Sequence, residues 1–140
     1  MLVLDCSVAL SWCFEDEKTA YAESVLDSLA GGGSAVVPPL WAYEVLNVLA
    51  GAERRKRITQ AQSSAFWQML QSLPIEVIAE SPSHFANDIL SLSRKFRLTA
   101  YDSAYLELCL RKNIRLATLD HDLKLAAQTA GVFLAHPQSK

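Results

Sequence analysis

The chain has little that would hold it together by covalent or metal cross-links. Its three cysteines, Cys6, Cys13 and Cys109, are odd in number and lack a C-x-x-C spacing, so no disulfide framework or zinc site can be read from them. Cys6 and Cys13 stand a heptad apart, which suggests packing on one helix face. Glycine and proline are sparse, five of each in 140 residues, and this argues against a low-complexity or disordered class. No apolar run reaches the ~18–20 residues of a membrane span. The start Met1-Leu2-Val3-Leu4-Asp5 has no basic n-region and is broken at Asp5, so it does not read as a signal peptide. No internal repeat is visible. A soluble cytoplasmic domain is expected, with residues 1–140 as a single unit and half the chain apolar, enough to bury a full core.

The formal charge of −2 conceals an uneven division. Residues 1–53 hold eight acids against Lys18 alone, while residues 54–140 hold twelve bases against seven acids. Such asymmetry hints at an anionic ligand met by one part and a cation held by another.

Strand-like runs alternate with longer helical patterns, the signature of an α/β domain. Strands are expected at Leu2–Leu4, Ala35–Val37, Ile75–Ala79, Arg115–Leu119 and Val132–Leu134. Helices are expected at Ser7–Phe14, Lys18–Ala30, Leu40–Arg54, Gln60–Leu73, Ser83–Phe96, Ala100–Lys112 and 121–130. Gly31-Gly32-Gly33 stops one helix, and Thr59 with Gln62 forms a capping-box pattern at the start of another.

Against this frame four carboxylates stand out. Asp5 ends the first strand, Glu44 follows the second, Asp102 opens the helix at 100–112, and Asp120 ends the strand at Arg115–Leu119. In an open parallel sheet these positions share the carboxyl edge, where ligands bind. Acids gathered there would repel one another unless a cation joined them, and oxygen-only donors suit Mg²⁺ or Mn²⁺. A metal-dependent phosphodiester-cleaving site is the leading expectation. Each acid also has an ordinary reading. Asp5 can be a helix N-cap, Asp102 can complete a capping box with Thr99, and Asp120 or Asp122 can cap the helix after Leu119. Glu44 lies among Leu40, Val45, Leu46, Val48 and Leu49, where an unpaired acid is costly to bury; Asn47, one turn on, could support it. Ser7 could orient Asp5.

Asp5-Cys6-Ser7, Glu44 with Asn47, Thr99-Ala100-Tyr101-Asp102-Ser103-Ala104-Tyr105-Leu106 and Leu116-Ala117-Thr118-Leu119-Asp120-His121-Asp122-Leu123 resemble the signature blocks of PIN domains. Their order and spacing are similar to those of the VapC toxins of type II toxin–antitoxin pairs, from Leu2 to about Leu134. The resemblance implies a three-layer α/β/α sandwich around a mainly parallel sheet of four to five strands. It also implies a ribonuclease whose acidic metal cluster is Asp5, Glu44, Asp102 and Asp120, with Asp122 as an optional fifth acid and Ser7 and Thr118 as polar supporters. Cys6 stands where the family often carries a small or hydroxyl side chain, and little consequence is expected of it. In this reading one or two Mg²⁺ or Mn²⁺ ions activate water for in-line attack on phosphate. His121 is expected to be an exposed helix-start residue.

RNA would approach along basic surface, the densest part being Arg54, Arg55, Lys56 and Arg57, followed by Arg94, Lys95, Arg97 and by Arg111, Lys112, Arg115. Each cluster is equally a solvated helix end. Trp12, Trp41 and Tyr101 could stack bases or belong to the core. The family resemblance further implies a cognate VapB-like antitoxin and a homodimer, with apolar surfaces around Trp12–Phe14, Trp41–Leu49 and Phe66-Trp67 as docking faces. A non-catalytic PIN-like RNA-binding or assembly module is the alternative. A phospho-acceptor receiver fits less well, since Asp5 is single and no Lys ends a late strand.

Overall fold

A computed structural model describes residues 1–137, so the last three residues of the expected 1–140 unit lie outside it. Four parallel strands form the sheet: β1 Leu2–Leu4, β2 Ala35–Val37, β3 Ile75–Val77 and β4 Arg115–Ala117, in the order β3-β2-β1-β4. Helices flank it in the α/β/α arrangement: α1 Cys6–Ser11, α2 Ala20–Ala30, α3 Leu40–Arg54, α4 Gln60–Ser72, α5 Ala86–Phe96, α6 Ala100–Lys112 and α7 His121–Thr129. Short 3-10 turns cover Glu15–Glu17 and Pro82–Phe85. No helix among the described residues is long and apolar enough to cross a membrane.

The inner strands read as unbroken apolar runs because both their faces are covered. Leu2, Val3 and Leu4 are buried, as are Ala35, Val36 and Val37. By contrast β3 is an edge strand, with Glu76 and Val77 exposed; a charged residue there discourages further pairing. The expected strand at Val132–Leu134 shrinks to one parallel bridge, Leu116 with Phe133. Leu116 N donates to Val132 O at 2.7 Å and Leu134 N to Leu116 O at 2.8 Å.

Register places the site. Leu4 pairs with Ala117, and the next amide, Asp5 N–H, donates to Ala117 O at 3.0 Å. Asp5 and Thr118 therefore leave the sheet side by side. Between β1 and β4 the chain order reverses, since β2 and β3 lie on the other side of β1. Such a reversal leaves a crevice at the carboxyl ends of the strands.

Several helix bounds shift for local reasons. Thr19 Oγ1 accepts Ala22 N–H and fixes the start of α2, two residues later than expected. α1 ends at Ser11, where the Ser11 hydroxyl donates to Glu17 O at 2.8 Å and the Trp12 indole to Ala22 O at 2.8 Å. Cys13 thus falls beyond α1, and the one-face reading of Cys6 and Cys13 does not hold. At the end of α2, Gly31 N–H returns to Asp27 O, and Gly32 turns the chain with φ +104°, a conformation that costs glycine little.

Candidate metal centre

Asp5 is 3% exposed and does not cap α1, for its side chain makes no cap hydrogen bond. Its Oδ2 instead accepts from Ser7 Oγ at 2.6 Å and from Thr118 Oγ1 at 2.7 Å. Ser7 and Thr118 also tie down the chain after β4. Ser7 Oγ accepts Leu119 N–H at 3.0 Å, and Thr118 Oγ1 accepts Asp120 N–H at 3.0 Å. With each hydroxyl proton already given to Asp5, the 3.4 Å approach of Ser7 to Thr118 adds little. Burial raises the Asp5 pKa; the Ser7 and Thr118 hydrogen bonds oppose that rise, and the charge of Asp120 adds to it.

Glu44 lies in the second turn of α3, half-buried, and its Oε1 accepts a 2.6 Å hydrogen bond from the Tyr105 hydroxyl. Burial raises its pKa, with Asp5 contributing, while hydrogen bonds from Tyr105 and Cys6 counter the rise. Asn47 is exposed, and no hydrogen bond joins it to Glu44 among the described residues. The expected support for Glu44 comes from α6 rather than from its own helix.

Asp102 sits in the first turn of α6, where Thr99 Oγ1 accepts its backbone N–H at 3.1 Å. A helix N-terminus ordinarily favours a carboxylate. Here the pKa is pushed up to about 6, first by burial and then by Asp120, Asp5, Glu44 and Asp122. Asp120 keeps its ordinary role as well, since its Oδ2 accepts Leu123 N–H at 2.9 Å and caps α7. Asp122 is exposed and contributes only its charge, and His121 is exposed at the start of α7.

Cys6 is brought into the cluster. Donor atoms of Asp5, Cys6 and Glu44 all lie within 4.8 Å of one another. Burial and the charges of Asp5, Glu44 and Asp102 keep the thiol protonated. Asp102 and Asp120 stand outside this tight group but close enough to act on one another electrostatically. Two participants, Tyr105 and Cys6, were not assigned site roles from the sequence. Tyr105 lies one turn after Asp102, which is the signal that could have found it.

No ion pair among the described residues involves any of the five acids. Several cations are committed elsewhere, as in Arg57 with Asp16 and Glu17 and Arg111 with Glu80 and Glu107. A set of carboxylates around one nearly buried member, with no basic side chain among the described residues to neutralise it, fits a hard divalent cation by donor chemistry.

The expected RNA contacts divide. Arg57 Nη2 lies 2.7 Å from Glu17 and 2.8 Å from Asp16, and its guanidinium sits 4.0 Å over Phe14, so it fastens the end of α3 to the turn after α1. Arg111 is likewise held by Glu107, Glu80 and the Phe85 ring, and Lys112 lies 3.7 Å from Glu80. Arg54, Arg55 and Lys56 are exposed, but at 1.5 Å per helical residue Arg54 is about 15 Å along the axis from Glu44. Trp12 and Trp41 are buried in the core, which removes them as stacking platforms, whereas Tyr101 is 65% exposed beside Asp102. Trp12, Phe14 and Phe66 are also too buried to form docking faces.

The PIN domain family matches residues 2–128. The chain belongs to the PIN-domain family. Among solved structures it is similar to PAE2754 from Pyrobaculum aerophilum, with a TM-score of 0.69 and 18% identity, over 89% of this chain and 83% of that one. That likeness speaks to fold alone. No match was found among curated proteins. PIN domains are typically divalent-metal-dependent nucleases acting on RNA.

Proposed function

We propose that this PIN domain is a Mg²⁺- or Mn²⁺-dependent endoribonuclease, the toxin of a VapBC-type pair acting in the cytoplasm. One observation carries the reading: Asp5 is nearly buried among other acids, and among the described residues no basic side chain is paired to any of them. Asp5, Glu44, Asp102 and Asp120 would hold the cation, with Asp122 at the rim. When bound, a divalent cation supplies Lewis acidity and neutralises charge on the scissile phosphate.

The remaining work falls to the chain's own groups. Ser7 and Thr118 fix the Asp5 carboxylate, and Tyr105 fixes Glu44 across the gap between α6 and α3. Prepositioned carboxylates reduce reorganisation when the anionic substrate arrives. Exposed Tyr101 offers a ring on which a base next to the cleaved bond can stack. Arg54, Arg55 and Lys56 would hold RNA backbone farther from the cut. A VapB-like antitoxin covering the crevice, and a homodimer, belong to the same reading.

The test is cleavage of total RNA by purified protein, freed of any co-purifying partner, with Mg²⁺, Mn²⁺ or EDTA. Asp5→Asn and Asp102→Asn run alongside. Cleavage that needs metal and disappears in both variants supports the proposal; cleavage indifferent to both substitutions would remove the site assignment.

A further inference from the structure

Cys6 opens α1, and its sulfur shares a 4.8 Å cluster with carboxylate oxygens of Asp5 and Glu44. The Cys6 sulfur and a Glu44 carboxylate oxygen stand close enough to share one ion. The other cysteines are placed differently: Cys109 is buried within α6, and Cys13 lies past α1. A purely oxygen site would suit Mg²⁺, but a sulfur within reach of the same cation changes the preference. Thiolate is a soft donor that favours zinc and similar ions over magnesium.

We propose that Cys6 supplies a sulfur ligand to the cation held by Asp5 and Glu44, so that this centre takes thiophilic divalent ions such as Co²⁺ and Zn²⁺ besides Mg²⁺ or Mn²⁺. The inference rests on the metal-dependent reading above. On binding, the Sγ–H bond breaks, its proton passes to water, and a sulfur lone pair forms the bond to the ion; no electron is transferred. The positive charge of the ion offsets the acidic surroundings that hold the proton on the thiol in its absence. The Glu44 carboxylate keeps its hydrogen bond from Tyr105.

The experiment titrates Co²⁺ into metal-free wild type, Cys6→Ser and Cys6→Ala. It follows the ultraviolet sulfur-to-cobalt charge-transfer band, with calorimetry for Co²⁺, Zn²⁺ and Mg²⁺ in parallel. The expected result is a band in wild type that is absent from both variants. Zn²⁺ affinity should fall on the order of 10-fold or more, and by a larger factor than Mg²⁺ affinity. Thermal melts establish that each variant is folded, and two variants guard against one failing to fold. Co²⁺ binding by calorimetry without the band overturns the Cys6 assignment and leaves the nuclease reading standing, as does a band that persists in both variants. Absence of binding by every ion in folded wild type overturns both.

Discussion

Replacing Asp102 by Asn should make the metal-free protein more stable while removing its use for a cation. Asp102 ionises in the folded protein only at about pH 6, against 3.8 ordinarily. At ~1.4 kcal/mol per tenfold change in proton affinity, that rise corresponds to ~3 kcal/mol of destabilisation once the carboxylate is charged. The side chain is half exposed to solvent, and screening reduces this to ~1–2 kcal/mol. The folded state binds the proton more tightly, so the stability is intact below about pH 3.8 and is lost as pH rises through about 6. Asn is close in shape and carries no charge at any pH. In EDTA at pH 7 the variant should melt ~3–6 °C higher than wild type, and the gap should close near pH 4. With Mn²⁺ at a hundred times its dissociation constant, wild type gains ~2.7 kcal/mol from binding and the order reverses. Melting curves by circular dichroism, in EDTA and in Mn²⁺ from pH 4 to 8, give all of these comparisons. A variant no more stable than wild type in EDTA at pH 7 would refute the argument that the acids repel one another here.

Thr118→Val removes the 2.7 Å donor to Asp5 and the acceptor for Asp120 N–H; urea denaturation should give a loss of ~2–3 kcal/mol. Tyr105→Phe leaves Glu44 without its 2.6 Å partner, so calorimetry should find metal affinity down on the order of 10- to 100-fold in a protein that still folds. Arg57→Ala should lower the melting temperature and leave RNA affinity intact, because Arg57 is engaged with Asp16, Glu17 and Phe14. Replacing Arg54, Arg55 and Lys56 together should instead weaken RNA binding and flatten its salt dependence in a filter-binding assay.

The apolar runs at Leu2–Leu4 and Ala35–Val37 were legible to the residue because both faces of those strands are buried, so composition alone marks them. The strand at Arg115 was read two residues too long. Thr118 and Leu119 continue its apolar pattern, but the Leu119 and Asp120 amides are taken by the Ser7 and Thr118 hydroxyls, and the site itself ends the strand. The helix expected from Ser83 begins only at Ala86, after a 3-10 turn led by Pro82. Four acids, Asp5, Glu44, Asp102 and Asp120, could be named from their places near strand ends and helix starts; Asp122 came only from the family resemblance. Their supports could not all be found that way, because the Tyr105–Glu44 hydrogen bond joins residues 61 apart in sequence and no local period reports it. The nearness of Cys6 to Glu44 was hidden in the same way, because a distant helix brings the two together.

Each acid had an ordinary structural reason available, and the geometry removes those reasons unevenly. Asp120 does cap α7 through Leu123 N–H, so its presence alone argues little. Asp102 receives a cap from Thr99 rather than providing one, and its carboxylate is left facing four others. Asp5 forgoes the cap that its position offers and turns into the crevice, where two hydroxyls support it against burial. Glu44 gains a tyrosine from across the fold, although solvent lay open to a residue in its helix. Burying such groups unpaired is costly, and the core around Leu4, Val8 and Leu116 supplies the stability that offsets it. Burial raises the pKa of three of the four central acids in the empty fold, Asp5, Glu44 and Asp102, a cost at neutral pH that a bound cation would offset. That pattern is expected of residues retained for a cation, and it makes the reversal of stability order on adding Mn²⁺ the sharper discriminator than activity alone.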